Sequence, residues 1–391
     1  MEEVLRGVDS AIGAVITRNK YLAMDVAMEY LEPTLISCSD PAPILEYLRL
    51  CPEILIEVSS RLFGGQIPQS LRTLELDYFK IPWTSPLLNN LVSLSMTSCD
   101  DGNTVGIGPL LQMLRRCPQL EELCLSRSFI GGDSPIIPAE PTHGVSLPNL
   151  KSIIIDCPED DRVAWIINHI DFPLSASIHV GINIDTDGPP LLQSFNADGH
   201  PVKRKISTMK HLRMDSTDSA SQFILCLEGA SIHYSPTSFV RPDEWTLELE
   251  VSARSLQSLG VVLREFSSLS PFPMMEALEI NCPASLDSAE TAEWVSFLQH
   301  FPRLTALWVR GGRNDTLLEA LSFLGAEATC PLLRKLRYRC SDITPTLVHI
   351  FNVRTSASCQ LSRLVLDFEC GSESPMPEED LREIEAVPFL G

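Results

Sequence analysis

Six basic or aromatic residues in the last third of the chain have the types and spacing of a binding surface. They are Trp308, Arg310, Lys335, Arg337, Arg339 and Arg363. Guanidinium and ammonium groups bind carboxylates by charge-assisted hydrogen bonds, and Trp with Arg is a frequent composition of interaction hot spots. The chain has 391 residues and a formal charge of −21, so this group is a local exception. We therefore expect a protein partner with an acidic segment to bind here; the alternative is that Trp308 packs on the Arg stems and nothing binds.

The rest of the sequence carries no signature of catalysis. The patterns G-x-S-x-G, H-E-x-x-H and G-x-x-x-x-G-K-[ST] are all missing, and the eight His residues do not pair with Cys at zinc-ligand spacing. We therefore expect no enzyme activity, no cofactor and no metal. The acidic balance argues against nucleic-acid binding, and no apolar run approaches the ~18 residues that span a bilayer. The cysteines fit a reduced compartment, the cytoplasm or the nucleus.

The pattern L-x-x-L-x-L, seen for example at Leu71, Leu74 and Leu76, supplies the elements that position the six residues. Side chains alternate across a strand, so the last two apolar residues of the pattern face a core. The third, fifth and seventh positions then face the other way. In the first half of the chain these outward positions are Thr73, Glu75, Asp77, Ser93, Ser95, Thr97, Glu122, Cys124, Ser126, Ser152, Ile154 and Asp156.

The pattern recurs about ten times. The last four copies start at residues 275, 304, 333 and 361, so they are spaced by 29, 29 and 28 residues. Such a period is typical of a leucine-rich repeat. The predicted fold is an α/β leucine-rich-repeat solenoid, curved, with a mostly parallel concave sheet and with helices and loops on the convex side. The predicted core contains Leu74, Leu76, Leu123, Leu125, Leu307 and Leu336, and helices are expected at Pro109–Cys117, Thr291–Phe301, Leu317–Leu324 and Leu347–Asn352.

The predicted domain organisation has three parts. Residues 1–18 form an N-terminal segment or cap, residues 19–368 the repeat array, and residues 369–391 an acidic C-terminal cap or tail. The array is less regular at 156–242, where it is expected to continue with longer insertions; two separate repeat halves are the alternative. Within this stretch Asp185–Lys205 is expected to be an exposed loop, which makes its basic run, Lys203 to Lys205, a solvated loop or a nuclear-import signal.

Several phrases of the sequence include turn residues as well as leucines. They are SDPAPILEYLRL, LPNLKSIIIDC, HIDFPLSASIHV and SASCQLSRLVLDF, and between Ile16 and Phe368 they resemble, in order, the leucine-rich-repeat portion of the large F-box protein family of mushrooms. The resemblance implies that the repeats hold a substrate for an SCF-type ubiquitin ligase. The alternative is an orphan repeat protein-interaction module with no ubiquitin-ligase link.

The resemblance also implies an N-terminal F-box that binds a Skp1-like adaptor. The first 18 residues, MEEVLRGVDSAIGAVITR, lack the family's Leu-Pro opening and are too short for that domain. We therefore expect this chain to bind the adaptor only if an F-box lies upstream.

Overall fold

The computed structural model describes the chain in separate segments. These are residues 18–26, 41–52, 56–57, 63, 68–98, 107–126, 144–156, 162–184, 200–219, 222–230, 247–253, 259–269, 272–282, 289–311, 315–323, 329–340, 345–356 and 361–368. The predicted segment 369–391 and all but the last residue of the predicted segment 1–18 lie outside the described residues. The chain divides into two compact units, Met1–Gly181 and Ile182–Gly391.

The first unit contains a parallel sheet with short helical returns. Its strands are β1 (Tyr21–Val26), β2 (Tyr47–Pro52), β3 (Ile56–Glu57), β4 (Thr73–Asp77), β5 (Phe79–Lys80), β6 (Ser93–Thr97), β7 (Glu122–Ser126), β8 (Val145–Ser146), β9 (Ser152–Asp156), β10 (Ile170–Asp171) and the start of β11 (Ser177–Ile184). Helices α1 (Ile107–Arg115) and α2 (Arg162–Asn168) belong to this unit. The main sheet has the order β1-β2-β4-β6-β7-β9-β11, with every neighbour parallel. The return between β5 and β6 holds only a 3-10 turn, Pro86–Leu88, as its two prolines predict.

The second unit combines an antiparallel insertion with a regular run of strand–helix repeats. Its strands are β12 (His211–Ser219), β13 (Gln222–Ala230), β14 (Leu247–Ala253), β15 (Ala277–Cys282), β16 (Ala306–Gly311), β17 (Lys335–Cys340) and β18 (Arg363–Phe368). Its helices are α3 (Pro201–Ile206), α4 (Leu259–Ser268), α5 (Thr291–Leu298), α6 (Asp315–Ser322) and α7 (Pro345–Ser356). Strands β12 and β15 to β18 are parallel neighbours, and α4, α5, α6 and α7 contact one another in sequence order.

The expected insertion in this stretch contains antiparallel strands, which the mostly parallel array did not predict. Strand β13 pairs antiparallel with both β12 and β14. Only two residues connect Ser219 to Gln222, and a connection this short cannot return the chain for parallel pairing. The repeat that starts at Met209 therefore lies directly beside the repeat that starts at Met275, and the residues between them extend the sheet on the other side of β12.

The leucines of the pattern form the core of each unit. Leu74, Leu76, Leu123 and Leu125 in the first unit and Leu307 and Leu336 in the second are all at most 4% exposed. These burials confirm the predicted register, because a shift by one residue would have turned every leucine to the opposite face.

A backbone hydrogen-bond ladder repeats at the residue that precedes each strand. In each case the amide donates to the carbonyl oxygen of the equivalent residue one strand earlier. The pairs are Arg72 to Glu46, Val92 to Arg72, Glu121 to Val92 and Lys151 to Glu121, then Glu276 to Lys210, Thr305 to Glu276, Arg334 to Thr305 and Ser362 to Arg334, all between 2.7 and 2.9 Å. The repeats of one unit are therefore equivalent in backbone geometry as well as in sequence.

Candidate functional site

The structure brings the six predicted binding residues onto three consecutive strands of the second unit. In the register of β16 and β17, Trp308 lies opposite Arg337, and on the next pair of strands Lys335 lies opposite Arg363. Arg310 lies two residues after Trp308 on β16, and Arg339 lies two residues after Arg337 on β17, so both face the same side. Neighbouring strands lie about 4.8 Å apart, so the cationic groups are close enough to act together. We call Arg310, Lys335, Arg337, Arg339 and Arg363 the basic face.

The members of the basic face differ in how far a partner could reach them. The Arg339 side chain is exposed, and Arg310, Lys335 and Arg363 are half-buried. Arg337 is only 9% exposed. A partner would therefore contact the exposed and half-buried cations directly. Arg337 would act on it mainly through its electrostatic field.

Trp308 is buried at 7% exposure, which the sequence did not predict. It forms one apolar cluster with Ala277 and Ala306, and the His211 ring meets the indole edge-on at a centroid distance of 5.7 Å. The two alanines leave space above their strands, and a large ring fills it. Trp308 points away from the leucine core, as alternation requires, but it contributes to stability on that side of the sheet.

Three further residues of the same face were not predicted to belong to it. His211 and Arg213 on β12 are 1% and 8% exposed, and Glu279 on β15 lies between Arg213 and Trp308 in the register. Burial, together with the charge of Arg213, lowers the pKa of His211 to about 4, so the imidazole is neutral near pH 7. The repeat pattern could have identified all three, because they occupy outward positions: the third and fifth of MKHLRM and the fifth of MEALEI.

The corresponding face of the first unit is polar and cross-linked between strands. All twelve residues predicted to point outward there are half-buried or exposed. Ser93 Oγ donates to Glu122 Oε2 at 2.9 Å, and Ser126 Oγ donates to Asp156 Oδ2 at 3.2 Å. These carboxylates are engaged by their neighbours across the sheet, which makes this face a less direct candidate for binding a charged partner.

The basic run at Lys203 to Lys205 is not a solvated loop, which corrects the expectation from its composition. It lies in α3, whose N-terminus is capped by His200, where Nδ1 accepts a hydrogen bond from the Val202 amide at 3.1 Å. Pro201 at the first helical position fits this start. Lys205 is 2% exposed, and burial lowers the pKa of its ammonium group to about 8.

Replacing Lys205 with Met is expected to stabilise the protein by about 1–3 kcal/mol at pH 7. The unfolded lysine keeps its proton up to about pH 10.5 and the folded one only up to about pH 8, so below pH 8 folding carries the full cost of the buried charge. The advantage of the variant should shrink as the pH rises from 8 towards 10.5. Denaturant unfolding at pH 7 and at pH 10 measures it, with the half-buried Lys203→Met as control. A gain that is the same at both pH values would contradict the assignment.

Among the residues that the structure describes, no three His, Cys, Asp or Glu side chains are grouped to hold a metal ion. None of the helices in the described part of the chain is long and apolar enough to cross a bilayer. No known protein-family model matches the sequence. A search of curated proteins found no match to it either.

Proposed function

We propose that the chain is a leucine-rich-repeat solenoid that acts as a protein-binding scaffold, with the basic face of its second unit as the binding surface. The repeated backbone ladder and the equivalent strand–helix units at β15 to β18 support the solenoid. Repeat proteins of this kind use extended sheet surfaces to bind other proteins. The resemblance of its repeats supports a role as the substrate-recognition part of an SCF-type ubiquitin ligase.

The observation that carries the proposal is the charge of the basic face. Five Arg and Lys residues occupy aligned positions on three strands in a chain with a formal charge of −21. Such a field speeds the approach of an acidic segment and disfavours basic ones. An extended segment crossing the strands would place its carboxylates against Arg310, Arg339, Lys335 and Arg363, which are the accessible members.

The double change Arg310→Glu with Arg339→Glu is expected to weaken binding of an acidic peptide at least tenfold. The probe is a fluorescent oligoglutamate, with its oligoglutamine analogue as the neutral comparison, and affinity is measured by fluorescence anisotropy. Reversing two charges replaces attraction by repulsion at the accessible part of the face. Binding to the unchanged protein should also weaken as salt is raised.

The matched control carries the same charge change elsewhere in the second unit. Arg303→Glu with Arg334→Glu alters two exposed arginines, which lie before β16 and β17 rather than on the basic face. It should bind the oligoglutamate nearly as well as the unchanged protein. Equal loss of affinity in the two double variants would show that net charge, and not the basic face, governs binding.

A further inference from the structure

A pocket of about 320 Å³ lies in the first unit between α1 and the residues that follow β5. It is lined by Trp83, Thr84, Pro109, Gln112, Arg115 and Arg116. None of these residues belongs to the basic face or to the proposed scaffold function. The volume is at the low end of the range of about 300–1,000 Å³ that small-molecule sites occupy, so a compact organic molecule would fit.

The Arg116 guanidinium brings a positive charge to the pocket. It is half-buried, and it donates to the carbonyl oxygens of Trp83 and of Thr84, the second at 3.4 Å. Within the described ranges no carboxylate lies in salt-bridge distance of it. Its hydrogen bonds thus hold the pocket wall to the end of α1, while the charge is left to attract an anion.

A buried hydrogen-bond donor lies in the same wall. Trp83 is 3% exposed, and its indole Nε1 has no acceptor in the described part of the chain. Buried donors nearly always have a partner, so this one needs an explanation. A ligand oxygen that enters the pocket as its side chains adjust would supply the acceptor.

Helix α1 and the residue after it contribute the remaining donors. Pro109, Gln112 and Arg115 are spaced by three residues within α1, so they share a side of the helix, and Arg116 directly follows it. Gln112 and Arg115 are exposed at the mouth of the pocket. Two guanidinium groups, an amide and the Thr84 hydroxyl therefore surround one opening.

We propose that this pocket binds a small molecule that carries a phosphate monoester. The three terminal oxygens of a phosphate accept more hydrogen bonds than a carboxylate does, which suits a wall with this many donors, and guanidinium groups bind it in a bidentate manner. Pro109 and the ring of Trp83 provide apolar surface for the organic part of the ligand. The competing explanation is that Arg115 and Arg116 only complement the C-terminus of α1.

Calorimetric titration of the full chain with phenyl phosphate, benzoate and benzyl alcohol tests the proposal. Phenyl phosphate is expected to bind one site per chain, at least tenfold more tightly than benzoate, and benzyl alcohol should give no binding. Arg115→Glu is expected to weaken phenyl phosphate at least tenfold, and Gln112→Glu is a second variant with the same expectation should the first fail to fold.

The control is Arg303→Glu, an exposed arginine in the other unit, which should leave the affinity unchanged. Absence of phenyl phosphate binding up to about 10 mM would overturn the proposal. So would equal binding by the Arg115→Glu and Arg303→Glu variants. Benzoate binding as tightly as phenyl phosphate would overturn the assignment to phosphate.

Discussion

Replacing Phe297 with alanine is expected to lower the free energy of unfolding by about 3–5 kcal/mol. The Phe297 side chain is fully buried, with its ring centroid 4.9 Å from that of Phe301 and 6.1 Å from that of Trp294. Phe301 in turn stacks on Phe272 at 5.0 Å. Truncation removes the transfer free energy of the ring, leaves a cavity and breaks two aromatic contacts. Urea denaturation followed by circular dichroism measures the loss.

The same chemical change at an exposed position provides the control. Phe323 follows α6 in the same unit and is 57% exposed, so Phe323→Ala is expected to change stability by no more than about 0.5 kcal/mol. Phe297→Leu should give a loss smaller than alanine, because it keeps most of the apolar volume. Similar losses for Phe297→Ala and Phe323→Ala would show that the aromatic cluster is not part of the core.

Arg354→Met is expected to cost about 3 kcal/mol or more. The Arg354 side chain, in α7, is 0% exposed. Its Nη1 donates to the carbonyl oxygens of Leu321 at 3.0 Å and Thr329 at 3.2 Å, and its Nη2 donates to that of Cys330 at 2.7 Å. Leu321 lies in the last turn of α6, where carbonyl oxygens have no partner within the helix. Methionine fills the space but removes the guanidinium donor from all three carbonyl oxygens, of which that of Cys330 still accepts from the Leu333 amide at 3.0 Å.

Two further variants separate the hydrogen bonds from the charge. Arg334→Met removes an exposed guanidinium from the same unit and should be nearly neutral. Arg354→Lys keeps the charge but cannot place donors on three carbonyl oxygens in the fixed geometry of a guanidinium, so it should be intermediate. If Arg354→Lys were as stable as the unchanged protein, the charge alone would account for the role of Arg354.

The regular parts of the fold could be predicted because the repeat spacing acts locally. Each copy of L-x-x-L-x-L fixes a strand, and the predicted helices agree with α1, α5, α6 and α7 within a few residues. The antiparallel direction of β13 was not predicted, and the reason is physical. The sequence that connects β12 to β13 contains no Gly, Pro or Asn, so it did not indicate that the chain reverses there. The buried helix α3 was missed because its basic residues outweighed its Pro201 start and its two apolar positions.

For the candidate site, the sequence predicted the face on which each side chain lies but not how far each side chain is exposed. Alternation along β16 and β17 predicts that Trp308 and Arg337 lie on the face opposite the leucines, and both are buried, at 7% and 9% exposure. The burial of Trp308 involves Ala277 one strand away and the His211 ring from β12, which pairs with β15. Such contacts arise from tertiary structure, and a pattern within one repeat does not contain them.

The backbone ladder has a consequence for how this chain can change in length. Every rung joins the same position of successive repeats, so excision of Thr305 to Leu333, one 29-residue period, would bring the Arg334 amide to the carbonyl oxygen of Glu276 that Thr305 now uses. Gene duplication or loss in whole periods would therefore preserve each rung. Insertion or deletion of one residue within a strand would instead turn every later residue of that strand to the opposite face. The protein could therefore gain or lose binding surface in units of one strand and one helix. Each unit added beside β16 to β18 would bring three new outward positions on which selection can act.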